Sequence, residues 1–281
     1  MYNETDPIYW YNGELIQSQT LQLPIDDPGL LYGATVFTTL RVYANSLDTP
    51  LTHFQPHCDR LRFSLETFGW KLPNWERLRQ GASILIKHYP ILRITIFPDG
   101  REWITGRFLP LNLTEKQING IISATSQQKI FRSLPEHKTG NYLSPWLARN
   151  RAINSTVEIK VEEAILIDTN SNWLETSTGN LWGWGNGCWY TPAVEAGVEA
   201  KILPGIIRNE LINYLNLQKQ QVQEKPWTPE LVKGFDALAY SNCVIEIIPI
   251  HTVINSNETL EYNPCHSSFE QIRRFFRLPQ A

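Results

Sequence analysis

Apolar and polar positions follow two rhythms along this chain, and the rhythms sort it into elements. Short runs at 8–11 and 14–16 flank Asn12-Gly13, a pair that tolerates positive φ, so this stretch reads as a β-hairpin. A turn-rich loop from Ile25 to Gly33 leads into 36–43, whose β-branched and aromatic content favours a strand. Over 56–70 the residues Cys58, Leu61, Leu65 and Phe68 recur at helical spacing, and Leu78, Ala82, Leu85 and Ile86 do so over 76–88. A strand at 91–97 is closed by the turn Pro98-Asp99-Gly100. The stretch 111–120 carries polar and turn residues and is expected to divide the chain into domains at 1–115 and 120–281.

Beyond it, 121–125 reads as a strand, and a connection delivers Lys138 ahead of a Gly140-Asn141 turn signal. Tyr142, Leu143, Trp146 and Leu147 then predict a helix with an apolar face. A buried-type strand at 163–168 is turned back by Asn170-Ser171-Asn172 into an antiparallel partner at 173–176. A hairpin follows, with 181–184 and 188–191 about Gly185-Asn186-Gly187. Pro204-Gly205 opens a helix over 206–217 with Ile207, Leu211, Ile212 and Leu215 on its apolar side. Strands at 235–240 and 245–253 are joined by the polar turn Ser241-Asn242-Cys243, and Asn263-Pro264 opens a last helix to about residue 276.

Composition narrows the picture. The chain has 281 residues, 42% hydrophobic and 11% aromatic, enough for an ordered core. A net charge of -3 gives no electrostatic reason to expect nucleic acid or an anionic membrane as partner. No apolar run approaches a membrane span, and the acidic start Met1-Tyr2-Asn3-Glu4 lacks a signal core, so a cytoplasmic address is expected. Cys58, Cys188, Cys243 and Cys265 stand far apart, as free thiols in a reducing compartment do. His53 and His57 lie four apart beside Cys58, but Pro56 between them argues against a shared metal-binding face, so no metal is expected and both read as structural. The ten tryptophans have no regular period and read as packing residues.

Candidate chemistry enters with three features. Lys138 stands just before the Gly-Asn turn. A carboxylate, Glu175, sits at the head of the small polar run Thr176-Ser177-Thr178-Gly179-Asn180. Gly205 at a helix start can let an anion approach exposed N–H groups. An amine, a carboxylate and a phosphate-ready helix start are the parts needed to hold pyridoxal phosphate.

The ordered blocks resemble the fold-type IV pyridoxal-phosphate enzymes, also called class IV aminotransferases. They are Tyr11-Asn12-Gly13-Glu14, Gly33-Ala34-Thr35-Val36-Phe37, His57-Cys58-Asp59-Arg60-Leu61, Lys138 to Leu143, Glu163-Ala164, Glu175 to Asn180, Thr191-Pro192 and Leu203 to Arg208. The resemblance implies an α+β protein of two domains: a smaller N-terminal α/β domain and a larger C-terminal one with a mixed, barrel-like sheet. It implies pyridoxal 5'-phosphate as cofactor, with Lys138 as the lysine bonded to it and Glu175 as partner of the pyridine nitrogen. Arg60, the N–H groups of Ile206 and Ile207, and the Asn242-Cys243 turn would bind the cofactor, mainly at its phosphate. It also implies a small-molecule substrate and a homodimer.

Within the family, branched-chain aminotransferases resemble Phe-Glu-Gly-Ile-Arg where this chain has Phe37-Thr38-Thr39-Leu40-Arg41, and they carry one more residue between the lysine and the Asn-Tyr pair. D-amino-acid aminotransferases share the shorter spacing but not the paired threonines. Phe-Thr-Thr followed by Arg-Val, with an asparagine at 242, is similar to aminodeoxychorismate lyases, although their Gly-Arg-Gly-Tyr-like segment is replaced here by Asp99-Gly100-Arg101-Glu102-Trp103. Cys243 stands where the transaminases usually offer a hydroxyl.

The expectation is therefore a lyase of folate synthesis that converts 4-amino-4-deoxychorismate to 4-aminobenzoate and pyruvate. Lys138 would act as base and Thr39 or Thr38 as its helper, while Arg101, Arg107, Arg41 and Tyr32 are the substrate-binding candidates. The alternatives are an aminotransferase for branched-chain or D-amino acids and, from another class, a non-catalytic cofactor or aromatic-ligand binder.

Overall fold

The computed structural model describes residues 6–126, 132–154, 159–196, 199–200, 202–255 and 258–277. By internal contacts the chain forms two compact units, one built on Met1–Pro110 with His137–Asn141, the other on Leu111–Glu136 and Tyr142–Leu278.

The first unit is an antiparallel sheet with helices on one face. Its strands are β1 (Ile8–Tyr11), β2 (Glu14–Gln17), β3 (Val36–Arg41), β4 (Ile91–Ile96) and β5 (Glu102–Arg107), in the order β2-β1-β5-β4-β3. Asn12 and Gly13 take φ of 46° and 98°, so the expected hairpin is present. The turn-rich loop holds a short helix, α1 (Pro28–Leu31), started by Asp27, whose side chain accepts from the Gly29 N–H. Helices α2 (Phe54–Thr67) and α3 (Trp75–Leu85) cover one sheet face. Cys58, Leu61 and Leu65 of α2 and Leu78, Ala82 and Leu85 of α3 pack with Trp10, Val36, Leu40, Leu92, Ile94 and Ile104. Helix α2 begins two residues before Pro56, which its first turn accommodates because that turn needs no N–H from it.

Alternation puts Phe37, Thr39 and Arg41 on the opposite face, where the register sets them against Thr95, Arg93 and Ile91, and those against Trp103, Thr105 and Arg107. The free edge of β3 is taken by residues 138–140. Phe37 N–H donates to Lys138 O (2.8 Å), Gly140 N–H donates to Thr35 O (2.7 Å), and Thr139 bridges Val36.

The second unit is organised on a mixed sheet. Its members are β6 (Ile121–Thr125), β7 (Glu163–Ile167), β8 (Trp173–Thr176), β9 (Asn180–Gly185), β10 (Cys188–Thr191), β13 (Val222–Glu224), β14 (Ala237–Asn242), β15 (Glu246–Ile254) and β16 (Thr259–Glu261). The order is β13-β10-β9-β14-β15-β6-β7-β8, with β16 on β15. The short pair β11 (Glu195–Ala196) and β12 (Glu199–Ala200) forms a separate ribbon. Trp182, Trp189 and Trp227 are fully buried, which makes packing their role.

The linker expected at 111–120 contains a helix, α4 (Leu113–Asn119), ended by Gly120 and pinned where Gln117 donates to Ile245 O. Polar composition hid it, because only Leu113 is buried. In α5 (Leu143–Asn154) the expected apolar face points outward: Leu143 and Trp146 are 61% and 55% exposed, while Pro145, Ala148 and Ala152 are buried. The alanines bring the helix close to Ala124, Val161, Ala164 and Leu166. Helix α6 (Ile206–Leu217) matches the expected span. A short helix, α7 (Pro229–Lys233), is capped by Thr228. The last helix, α8 (Phe269–Phe275), starts later than Asn263-Pro264 predicted, since a turn intervenes. Among the described residues no helix is long and apolar enough to cross a membrane.

Candidate active site

In the first unit the chemistry gathers around β3. Lys138 is held by the strand-edge bonds described above, and its neighbour His137 is buried, with Nδ1 3.0 Å from Ser64 Oγ and its ring beside Phe63 and Phe68. The Lys138 ammonium lies 4.9 Å from the centre of the Phe37 ring, and the Arg93 guanidinium lies 3.7 Å from the same ring. Both cations therefore attend the sheet face that also carries Thr39, Arg41 and Arg107. Arg41 rests on the Tyr43 ring at 4.8 Å.

Thr38 is on the other face and fully buried. Its hydroxyl accepts from Arg60 at 2.5 Å and lies 2.5 Å from His57 Nδ1. Burial, reinforced by the charges of Arg60, His53 and Lys138, holds the His57 ring well below the usual imidazole range.

Two further substrate-binding candidates lie at α1. Arg101 is locked by Asp27 and Asp99, both at 2.6 Å, and by Tyr11 Oη, so its guanidinium fastens the α1 loop to the sheet. Tyr32 ends α1 and is 75% exposed. Arg93, absent from the expectation, stands on the face of Lys138 because of register, a property that no local motif encodes.

In the second unit Glu175 is 2% exposed and pairs with Arg132 at 2.6 Å. The carboxylate raises the proton affinity of that guanidinium against the opposing effect of burial. Arg132 also lies 5.0 Å from the Tyr142 ring centre, and the Tyr142 hydroxyl donates to Ser177 O. The turn after Glu175 is clamped by a second buried carboxyl, Glu163, which accepts from Thr178 Oγ1 (2.6 Å), Ser177 Oγ and the Ala164 N–H. Burial pushes the Glu163 carboxyl up.

Asn180 opens β9 and donates to Leu203 O at 2.9 Å, tying that turn to the start of α6. Gly205 is the N-cap of α6 without a side-chain cap, and a Cβ there would meet Asn180 Oδ1 at 2.0 Å. The first-turn N–H groups of Ile206 and Ile207 thus stand at an uncapped helix start, which suits a phosphate. Asn242 donates to Thr178 O (3.1 Å) and accepts from the N–H groups of Val244 and Ile245, so it holds the turn that also contains Cys243.

Each unit carries groups of the kind that the cofactor implied by the resemblance calls for: in the first an amine on a fixed backbone, in the second a buried anchored carboxylate and an uncapped helix start. Beside residues of the expected set the first unit places Arg93, and the second places Arg132, Tyr142 and Glu163. Arg132 is a lone arginine in a connecting stretch with no pattern around it, whereas Arg60 is named by the resemblance and His57, read as structural, stands at i and i+3 with it on one helix.

The chain matches the family model for amino-transferase class IV over residues 35–253. A branched-chain-amino-acid aminotransferase of Pseudomonas aeruginosa is 24% identical over 272 residues, covering 89% of this chain and 86% of the relative. An aminodeoxychorismate lyase of Vibrio harveyi is 22% identical over 272 residues, covering 91% of this chain and 94% of the relative. In fold, the crystal structure of the Escherichia coli branched-chain amino acid aminotransferase matches with a TM-score of 0.80 at 22% identity, over 98% of this chain and 95% of that one.

Proposed function

The chain belongs to the class IV aminotransferases, fold-type IV enzymes that use pyridoxal 5'-phosphate, and from that membership we propose that it is an aminotransferase exchanging an amino group between glutamate and an aliphatic, branched-chain amino acid. The observation that carries this reading is the pair of cations, Lys138 and Arg93, over the one Phe37 ring. Such a pair suits a substrate whose amine and carboxylate leave the same carbon, as in an α-amino acid. Arg41 and Arg107, on the same sheet face, offer further charge to the second carboxylate of glutamate.

The lyase expectation rests on Thr38, Thr39 and Asn242, and two of these are engaged elsewhere. Thr38 serves Arg60 and His57 on the core side of the sheet, and Asn242 fastens a turn. The relatives support the aminotransferase as well, since branched-chain enzymes are the more frequent among them. One observation favours the lyase as a second reading: Thr39 pairs with Arg93 on the Lys138 side.

When bound, pyridoxal phosphate supplies an aldehyde for the amine and a ring that withdraws electrons from the adjacent carbon. Lys138 would hold the cofactor and, once displaced by substrate, move the proton on the α-carbon. Glu175, fixed by Arg132, would keep the ring nitrogen protonated. Arg60 and the N–H groups of Ile206 and Ile207 would grip the phosphate. Arg93 would orient the substrate carboxylate.

The test is direct. Purified holoenzyme given leucine, isoleucine or valine with 2-oxoglutarate should form glutamate, and borohydride should fix the cofactor on Lys138. Release of 4-aminobenzoate from 4-amino-4-deoxychorismate, without transfer to 2-oxoglutarate, would refute the aminotransferase and establish the lyase. A homodimer in a reducing cytosol belongs to the same proposal: Ile25, Leu30, Leu31 and Tyr32 form an exposed apolar group that a second copy would cover, and light scattering should return twice the 32.4 kDa chain mass.

A further inference from the structure

The imidazole of His57 is more constrained than packing requires. Arg60 can only donate, so Thr38 Oγ accepts from Arg60 Nη2 with one of its two lone pairs, and turning its single proton toward His57 Nδ1 is the arrangement that gives that proton a partner as well. His57 is then the tautomer that carries hydrogen on Nε2. That atom is buried and has no hydrogen-bond partner among the described residues. An unmet buried donor is costly, and an apolar side chain at this position would avoid the cost. Among Arg60, His53 and Lys138 the ring stays uncharged.

We infer that His57 is a positioning residue which, through the Thr38 hydroxyl, fixes the direction in which Arg60 presents its guanidinium to the cofactor phosphate. The inference rests on the proposed reading of Arg60 as a phosphate ligand. His57 lies one helical turn before Arg60 on α2, and Thr38 projects from the β3 face that α2 covers, so a single hydroxyl is within reach of both. A neutral hydroxyl–imidazole pair restrains the guanidinium without neutralising it. Neither group of that pair carries a negative charge, and less rotamer freedom is lost when an anion binds.

The experiment titrates apoenzyme with pyridoxal 5'-phosphate and, separately, with pyridoxal, which lacks the phosphate but still reacts with Lys138. His57→Phe keeps a ring and removes the acceptor. His57→Asn can return an acceptor oxygen near the Nδ1 position, and Thr38→Val removes the hydroxyl. Arg60→Ala reports on the phosphate role itself.

His57→Phe and Thr38→Val should each weaken the phosphorylated ligand about tenfold and leave pyridoxal unchanged, and His57→Asn should recover most of the loss. His57→Phe added to Arg60→Ala should cost nothing more, because the two act on one contact. Equal weakening of both ligands by His57→Phe, or no weakening at all, would show a packing residue and overturn the inference. If Arg60→Ala spares the preference for the phosphorylated ligand, Arg60 is not a phosphate ligand and the role of His57 falls with it. The leucine transfer assay stands or fails independently of that result.

Discussion

At Thr38 a hydroxyl with one proton meets a guanidinium and an imidazole, and the outcome has a pH signature. Burial, helped by Arg60, His53 and Lys138, keeps folded His57 well below its ordinary 6.5. Between the folded pKa and 6.5 the unfolded chain binds a proton that the folded chain refuses. The stability contribution is therefore complete above about pH 6.5 and is lost as pH falls through that window, by up to about 1.4 kcal/mol per pH unit. His57→Phe should flatten this slope when urea unfolding is compared at about pH 5 and about pH 7; an unchanged slope would mean that His57 titrates freely. The amine at Lys138, the carboxylate at Glu175 and Arg60 are legible through the ordered blocks of the resemblance, while His57 reads from the sequence only as structural. Arg93 and Arg132 are not legible there, because strand register brings one to Phe37 and the fold of a connection brings the other to Glu175.

Among the elements, the start of α6 is the place where a minimal change has the clearest outcome. Gly205→Ala puts a methyl group 2.0 Å from Asn180 Oδ1, so either the helix start retreats or Asn180 releases Leu203. We expect cofactor affinity, followed by the absorbance of the holoenzyme, to fall about tenfold or more while the fold survives. Unaltered affinity would mean that this helix start does not hold the phosphate. Strands and long helices were readable because their periods are strong: the Asn12-Gly13 hairpin and α6 lie where alternation and spacing put them. The elements that escaped did so for physical reasons. Helix α4 buries one leucine and so has no stripe to read, and α5 hides alanines while leaving Leu143 and Trp146 outside. An apolar face marks what will be covered, and within a single chain it need not mark the core.

For the molecule as a whole, composition bounded the class and the ordered blocks gave the two-domain α+β frame. Sequence order could not show that residues 137–141 pack with the first unit. That packing also sets an order of events in time. Thr139 meets Val36 across 103 positions, and closing a loop that long costs about 2 kcal/mol more than closing one of ten residues. During synthesis, at about 5–20 residues per second, the first sheet waits several seconds with the β3 edge bare until the chain has passed Asn141. In refolding, tryptophan fluorescence should therefore recover before Lys138 becomes trappable by pyridoxal phosphate and borohydride, with mass spectrometry timing the label. Simultaneous recovery would mean that the segment docks as early as the hairpins. The amine is thus the last piece of the first sheet to arrive, and an unfinished chain carries no reactive lysine in place.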